Sequence, residues 1–384
     1  MFRRMPIILL ISIIILFFIE KNIPLVFKQI LYSLSLSIKE VIVFALPIVI
    51  FALLFKTILS LSQNATKIIG LILILVCCSN FLSTFLSHYV GGWIYNFDLS
   101  MIMPNEHKEL VALWNFSLPK LIPNNIAMFG GLLAGLVASK YSKREMIVKR
   151  VELVLNYILK GLLYLIPVFV IGFIVKLQHD STIAIIVQDY SKIFIIIAMA
   201  QFGYIILAYF IFNNAKIRSA LECIKNMLPA AIVGFSTMSS AATMPLTIMA
   251  VEKNSKNKDL ARSVVPATVN IHLIGDCFAI PIFAYAILKS YGLAQPSLVN
   301  YLIFTFYFVL AKFSVAAVPG GGIIVMLPIL EKYLGFNGEM MSLITALYIL
   351  FDPVITSANV LGNGIFAKMI DNIISFKLPF LNYP

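Results

Sequence analysis

Two aspartates stand inside apolar sequence in the second half of the chain. Asp352 opens a run in which Thr356, Asn359 and Asn363 follow at spacings of four, three and four. That spacing sets all four on one face of a helix. Asp276 closes the run His272-Leu273-Ile274-Gly275-Asp276. A carboxylate in hydrocarbon costs about 2.5–3.5 kcal/mol on insertion scales, so these groups must face protein, water or a ligand. A hydrogen-bonded seam between helices would satisfy them without any ligand. Two small-residue tips interrupt the surrounding apolar sequence. One is Ser239-Ser240-Ala241-Ala242-Thr243 before Pro245, the other Ala316-Ala317-Val318-Pro319-Gly320-Gly321-Gly322. Tips of this kind present free backbone N–H groups and helix N-termini, which suit a carboxylate. Backbone carbonyls at unwound segments suit a cation. The triple glycine is no phosphate loop, because no Lys-Ser/Thr follows at the required spacing.

The elements that hold these residues must cross a membrane. Of 384 residues, 61% are hydrophobic and only 12% charged, where soluble domains carry roughly 25% charge. A spanning helix needs about 20 apolar residues, so the length allows eight to ten crossings. The net charge of +12 is no nucleic-acid signal, since the basic residues cluster in short loops as the positive-inside rule expects. Cys77, Cys78, Cys223 and Cys277 lack disulfide or zinc spacing and read as packed thiols. The four histidines form no metal motif. The start, with Arg3 and Arg4 before an apolar stretch, mimics a signal peptide but has no small-residue cleavage site, so an uncleaved first helix is expected.

In order, helices are expected near 6–28, 38–62 (with Pro47), 67–97, 124–140, 148–177 and 183–212, with an extracytoplasmic connection over 98–123. Lys140, Lys143, Arg144, Lys149 and Arg150 crowd one loop, which the positive-inside rule makes cytoplasmic. Lys216, Arg218 and Lys225, two crossings later, fall on the same side. Leu46-Pro47-Ile48-Val49 is echoed by Ile166-Pro167-Val168-Phe169, and His272-Leu273-Ile274-Gly275 by Asn359-Val360-Leu361-Gly362. Helices 1–3 and 4–6 then read as an inverted repeat. The C-terminal half reads as hairpin, interrupted helix, hairpin, interrupted helix. Paired interruptions of this kind mark a transporter's binding site.

Four motifs, 239–245, 266–276, 318–322 and 352–363, come in the order and spacing of the dicarboxylate/amino acid:cation symporters, which the chain resembles closely over 216–375. The resemblance implies an all-α polytopic membrane protein with eight transmembrane helices plus two re-entrant hairpins, both termini cytoplasmic, in the inner (plasma) membrane. It implies no enzyme. It also implies an elevator-type homotrimer. Residues 1–215 would supply scaffold helices 1, 2, 4 and 5 together with helices 3 and 6 of the transport domain. Residues 216–384 would form the transport core, with hairpins at about 218–252 and 301–335. The substrate, an amino acid or dicarboxylate, would meet Ser239, Ser240, Asp276, Val318, Gly320, Asp352, Thr356 and Asn359. The cation would meet His272, Asn359 and Asn363. No cofactor is expected beyond sodium or a proton as coupling ion, and no partner beyond the substrate, the lipid bilayer and the other protomers.

The chain departs from the family pattern at specific places. Ile274 stands where a sodium-binding carboxylate is expected, and Asn363 where a second one is. Ile355 replaces the arginine that pairs with an acidic substrate's side chain, and Asp276 replaces a threonine. One cation is lost and one carboxylate gained, so a neutral or basic amino acid is expected, neutral first. Sodium coupling is expected to be weakened, or replaced by protons at His272 and Asp276. Polar residues of the third helix fail to align, with Leu75 and Val76 in register. Lys312 falls near the tip of the second hairpin, where family carbonyls meet sodium. Two other readings compete. One is a transport-dead, ligand-binding descendant. The other is an intramembrane aspartyl protease using Asp276 and Asp352, which needs the two carboxylates to share a proton.

Overall fold

The computed structural model describes residues 15, 19, 22–61, 66–96, 110–119, 122, 124–138, 144–179, 182–315 and 320–377. Among them there is no strand. Twelve helices follow one another, α1 (Leu25–Leu61), α2 (Thr66–Asn96), α3 (Asn124–Ala138), α4 (Arg144–His179), α5 (Thr182–Phe212), α6 (Ile217–Thr237), α7 (Ser240–Asn254), α8 (Lys258–Thr268), α9 (Ile274–Ser290), α10 (Leu298–Lys312), α11 (Gly321–Leu334) and α12 (Gly338–Lys377). By length and composition, Gly70–Asn96, Tyr190–Phe212 and Gly338–Ile374 can each cross a membrane. The expected first helix near 6–28 and the basic cluster at Lys140 and Lys143 lie largely outside the described residues. The expected second helix starts earlier than 38. Residues 25–61 form one continuous helix, because nothing between Leu25 and Pro47 breaks it.

Helix α1 packs against α3 and α4, while α2, α5 to α8 and α11 pack against α9 or α12, and α10 packs on α2 and α11. On the first side the backbones approach closely. The Ser35 hydroxyl of α1 donates to the Phe169 carbonyl of α4 at 2.6 Å, and Gly172 lies so near the Leu31 carbonyl that a β-carbon there would clash. On the second side α9 is buried over nearly its whole length, as a helix surrounded by other helices must be.

Helix α6 packs on α7, and α10 on α11, at the two tips read from the sequence. In the first, Met238 takes the left-handed conformation (φ 49°) and ends α6, its N–H bonding the Gly234 carbonyl. Ser239 then caps α7 by accepting from the Ala242 N–H. In the second, the backbone tightens after Lys312, with Ser314 N–H bonding the Ala311 carbonyl at 2.9 Å. Residues 316–319 of the tip, Val318 included, are outside the described residues. The chain re-enters at Gly320 (φ +72°), the cap of α11. The arms α7, α10 and α11 have 15, 15 and 14 residues. At 1.5 Å per residue they reach about 21–23 Å, short of a hydrocarbon core of about 30 Å, whereas α6, with 21 residues, reaches about 31 Å.

The two echoed motifs differ in outcome. The helix is broken at 269–273, between α8 and α9. Asn80 of α2 repairs the break, donating to the Ile271 carbonyl at 2.7 Å and accepting from the Leu273 N–H at 3.3 Å. The expected interruption near Asn359 is absent, since α12 runs unbroken for 40 residues. The echo reflects contact between the two segments. Gly275 N–H donates to Asn359 Oδ1 at 2.8 Å, and Gly362 lies against Ile274. Small residues there let α9 and α12 approach, which requires no unwinding. Of the thiols, Cys223 and Cys277 are buried but Cys78 is exposed, so the expectation of packed thiols fails at Cys78.

Candidate substrate and cation site

The site is built where the N-terminus of α9, the middle of α12 and the ends of α10 and α11 converge. Asp276, in the first turn of α9, is buried. Its Oδ1 accepts from the Tyr348 hydroxyl at 2.6 Å and its Oδ2 from the Asn359 side-chain amide at 2.7 Å. The Lys312 ammonium, the last residue of α10, lies 3.3 Å from Oδ1. Lys312 is 0% exposed, its Nζ is 4.6 Å from the centre of the Phe308 ring, and it makes no well-aligned hydrogen bond. The contact is thus an ion pair. The charge count read from the sequence omitted it, for Lys312 restores beside Asp276 the cation lost at Ile355.

Asp352 sits one helical turn beyond Tyr348 on α12 and is also buried. Its Oδ2 accepts from the Gly320 N–H at 3.0 Å and its Oδ1 from the Thr356 hydroxyl at 3.0 Å. The N-terminus of α11 therefore points at a carboxylate, the arrangement its helix dipole favours. A β-carbon on Gly322 would collide with the Asp276 carboxylate and the Tyr348 hydroxyl, so this glycine is needed for α11 to approach α9. The two aspartates keep separate partners, Tyr348, Asn359 and Lys312 for one, Gly320 and Thr356 for the other. Nothing in this arrangement has them share a proton.

The expected cation residues His272, Asn359 and Asn363 also meet. Asn363 donates to the carbonyls of His272 at 3.2 Å and Asn359 at 2.9 Å, so its amide N–H groups already satisfy two oxygens that a cation would need. Its Oδ1 is buried without a partner, a single neutral oxygen. His272 is enclosed, with Nε2 2.9 Å from the Ser79 hydroxyl, its ring against Phe366 at 4.2 Å, and Nδ1 unpartnered. Ile274 lines an apolar cavity of about 420 Å³ between α2, α5, α9 and α12. Sodium needs hard oxygen ligands; the side chains of Ile274 and Lys312 offer none, and that of Asn363 offers one neutral oxygen.

Asp276 meets Asn359, and Asp352 meets Gly320 and Thr356. Ser239 caps α7 by accepting from the Ala242 N–H, and the Ser240 carbonyl accepts from the Thr243 hydroxyl. Gly234, near that hairpin's turn, lies against Thr356 and Val360, which brings the first hairpin to the same stretch of α12. Sequence reading missed Tyr348 and Asn80. Tyr348 lies one turn before Asp352 on the polar face, a spacing that was available as a signal. The polar residues of α2 that matter are Ser79 and Asn80, one turn beyond Leu75 and Val76.

A family model described as the sodium:dicarboxylate symporter family matches residues 5–373. The putative sodium-dependent excitatory amino acid transporter glt-4 of Caenorhabditis elegans is 27% identical over 162 residues, 42% of this chain and 32% of that protein. Its relative glt-6 is 24% identical over 255 residues, 64% and 46% of the two chains. Excitatory amino acid transporter 1 of Ambystoma tigrinum is 25% identical over 240 residues, 62% and 42%. The matched region is less than half the length of each relative. The match to the family model runs over almost the whole chain, and its second half carries the hairpins, the broken helix and the polar face of α12: the chain belongs to the sodium:dicarboxylate symporter family.

Proposed function

We propose that the chain is a secondary active transporter, not an enzyme, that moves a small amino acid across the plasma membrane, with sodium coupling weakened or replaced by protons. The relatives' names point to amino acids as cargo and to sodium as their coupling ion. The observation that carries the reading is Asp352, a buried carboxylate bonded by the Gly320 N–H of the second hairpin and by Thr356. A carboxylate has about four acceptor sites, so two remain for a substrate ammonium. The free N–H groups at the start of α11 suit an α-carboxylate. Lys312 is engaged by Asp276, which leaves it unavailable to a second carboxylate, so a neutral side chain fits best. In this reading α2 and α5 to α12 form the moving body, α1, α3 and α4 belong to the scaffold, and the assembly is a homotrimer.

Purified protein in proteoliposomes tests this. Uptake of labelled serine, alanine, glutamine, aspartate and succinate is measured under imposed sodium or proton gradients. Accumulation of a neutral amino acid driven by the proton gradient is the expected result. Ligand binding with no uptake under any gradient would replace the proposal with the transport-dead reading.

A further inference from the structure

We propose that Lys312 is a tethered cation, its ammonium holding beside Asp276 the place that a coupling ion would otherwise take. The proposal rests on the reading above that sodium coupling is weakened, and names the groups responsible. Three observations carry it. First, Lys312 is fully buried, in the last turn of α10, and its ammonium lies 3.3 Å from the Asp276 carboxylate. The C-terminal end of a helix carries partial negative charge, so helix end and carboxylate together form a spot that attracts a cation. The ammonium fills it. Second, neutral donors occupy further acceptors nearby, Tyr348 and Asn359 on Asp276, and Asn363 on the His272 and Asn359 carbonyls. Third, the position where a carboxylate would strengthen a second cation site is Ile274, on the wall of an apolar cavity.

The consequence is mechanical. Lys312 ends the first arm of the second hairpin, and Asp276 begins α9. A free ion would be held there only as its concentration in solution allowed. A side chain is always present, so the contact between α10 and α9 needs no dissolved cation at that position. A ligand that binds only the folded state raises its unfolding temperature by mass action, and the absence of such a site is therefore measurable without substrate.

The test is thermal unfolding of the detergent-solubilised full chain as sodium chloride replaces choline chloride at constant ionic strength. Four proteins are compared, the wild type, Lys312→Met, the double variant Lys312→Met/Asp276→Asn, and Asn363→Asp. The wild type and the double variant are expected to show no sodium-specific shift. Lys312→Met, which exposes Asp276 to a vacated cation position, is expected to gain several degrees with sodium. Asn363→Asp, which sets a carboxylate beside two carbonyls, is expected to gain a shift as well. A steep sodium dependence in the wild type would overturn the proposal, and so would a Lys312→Met protein that unfolds at one temperature in both salts. Recovery of folded Lys312→Met only when sodium is present throughout purification supports it. Misfolding in both salts while the double variant folds counts against it. Because no substrate enters the measurement, the expected pattern alongside absent uptake would remove the transport reading and leave the tethered cation standing.

Discussion

The ammonium of Lys312 and the carboxylate of Asp276 lie 3.3 Å apart, both enclosed within the bundle and held on different elements. Removing one partner from a buried ion pair leaves the other uncompensated, at about 3–5 kcal/mol, whereas replacing both is often close to neutral. In choline chloride, Asp276→Asn should therefore lower the unfolding temperature more than Lys312→Met/Asp276→Asn does. Thermal unfolding of both single variants and the double variant completes the cycle. Additive losses would show that the two residues do not depend on each other.

Gly322 tests whether α11 must press on α9. A β-carbon there meets the Asp276 carboxylate and the Tyr348 hydroxyl, which are bonded to each other, with Asp276 held by Asn359 as well. Gly322→Ala should push the second hairpin away from the site and weaken amino acid binding at least tenfold, at about 1.4 kcal/mol per decade. Gly161→Ala is the matched control. Gly161 lies in a helix with nothing within 4 Å, so alanine there should be neutral or stabilising by roughly 0.5–1 kcal/mol. Equal binding by both variants would remove the steric role of Gly322.

Much of this architecture was legible because it rests on local chemistry. Hairpin tips are spelled by small residues, and the polar face of α12 by the spacing from Asp352 to Asn363. What could not be read is which element supplies the partner. The bond from Asn80 to the break at Ile271 joins residues 191 positions apart, and no periodicity reports it. The same holds for Lys312, whose position near a tip was visible but whose direction was not. The echo of Gly275 in Gly362 misled for a related reason. A glycine that lets two helices touch just after a break and one that does so within an unbroken helix look alike in sequence. Only the presence of Asn80 beside the first, and the unbroken course of α12 through the second, tells them apart.

Asn80 should accordingly be required for the broken helix. It is the side chain that satisfies both the Ile271 carbonyl and the Leu273 N–H, and each buried unsatisfied group costs about 1–3 kcal/mol. Asn80→Ala should lose stability and raise hydrogen exchange at Leu273. Asn80→Leu, similar in size, should do no better. Full stability in Asn80→Leu would mean that packing, not hydrogen bonding, holds the break.

The substrate's charge follows from the same network. An acidic amino acid brings a second carboxylate into a site that already contains Asp276 and Asp352. At the position where the family resemblance implies an arginine, the chain has Ile355, which is buried and apolar. The nearby cation is Lys312, and it is paired. If Lys312 turned to the substrate, Asp276 would be left unpaired in the same enclosure, so exchange of partners gains nothing. The unpaired charge costs about 3–5 kcal/mol in either arrangement, which corresponds to a loss of several hundred-fold or more in affinity. A neutral amino acid avoids this cost, since its ammonium faces Asp352 and its carboxylate faces the start of α11. Competition binding with serine, alanine, glutamine, lysine and aspartate should rank the neutral residues first and aspartate last. Asp352→Asn should abolish binding of all of them, because it removes the partner of the ammonium. Micromolar aspartate affinity with no competition from neutral amino acids would show that Lys312 serves the substrate and not Asp276.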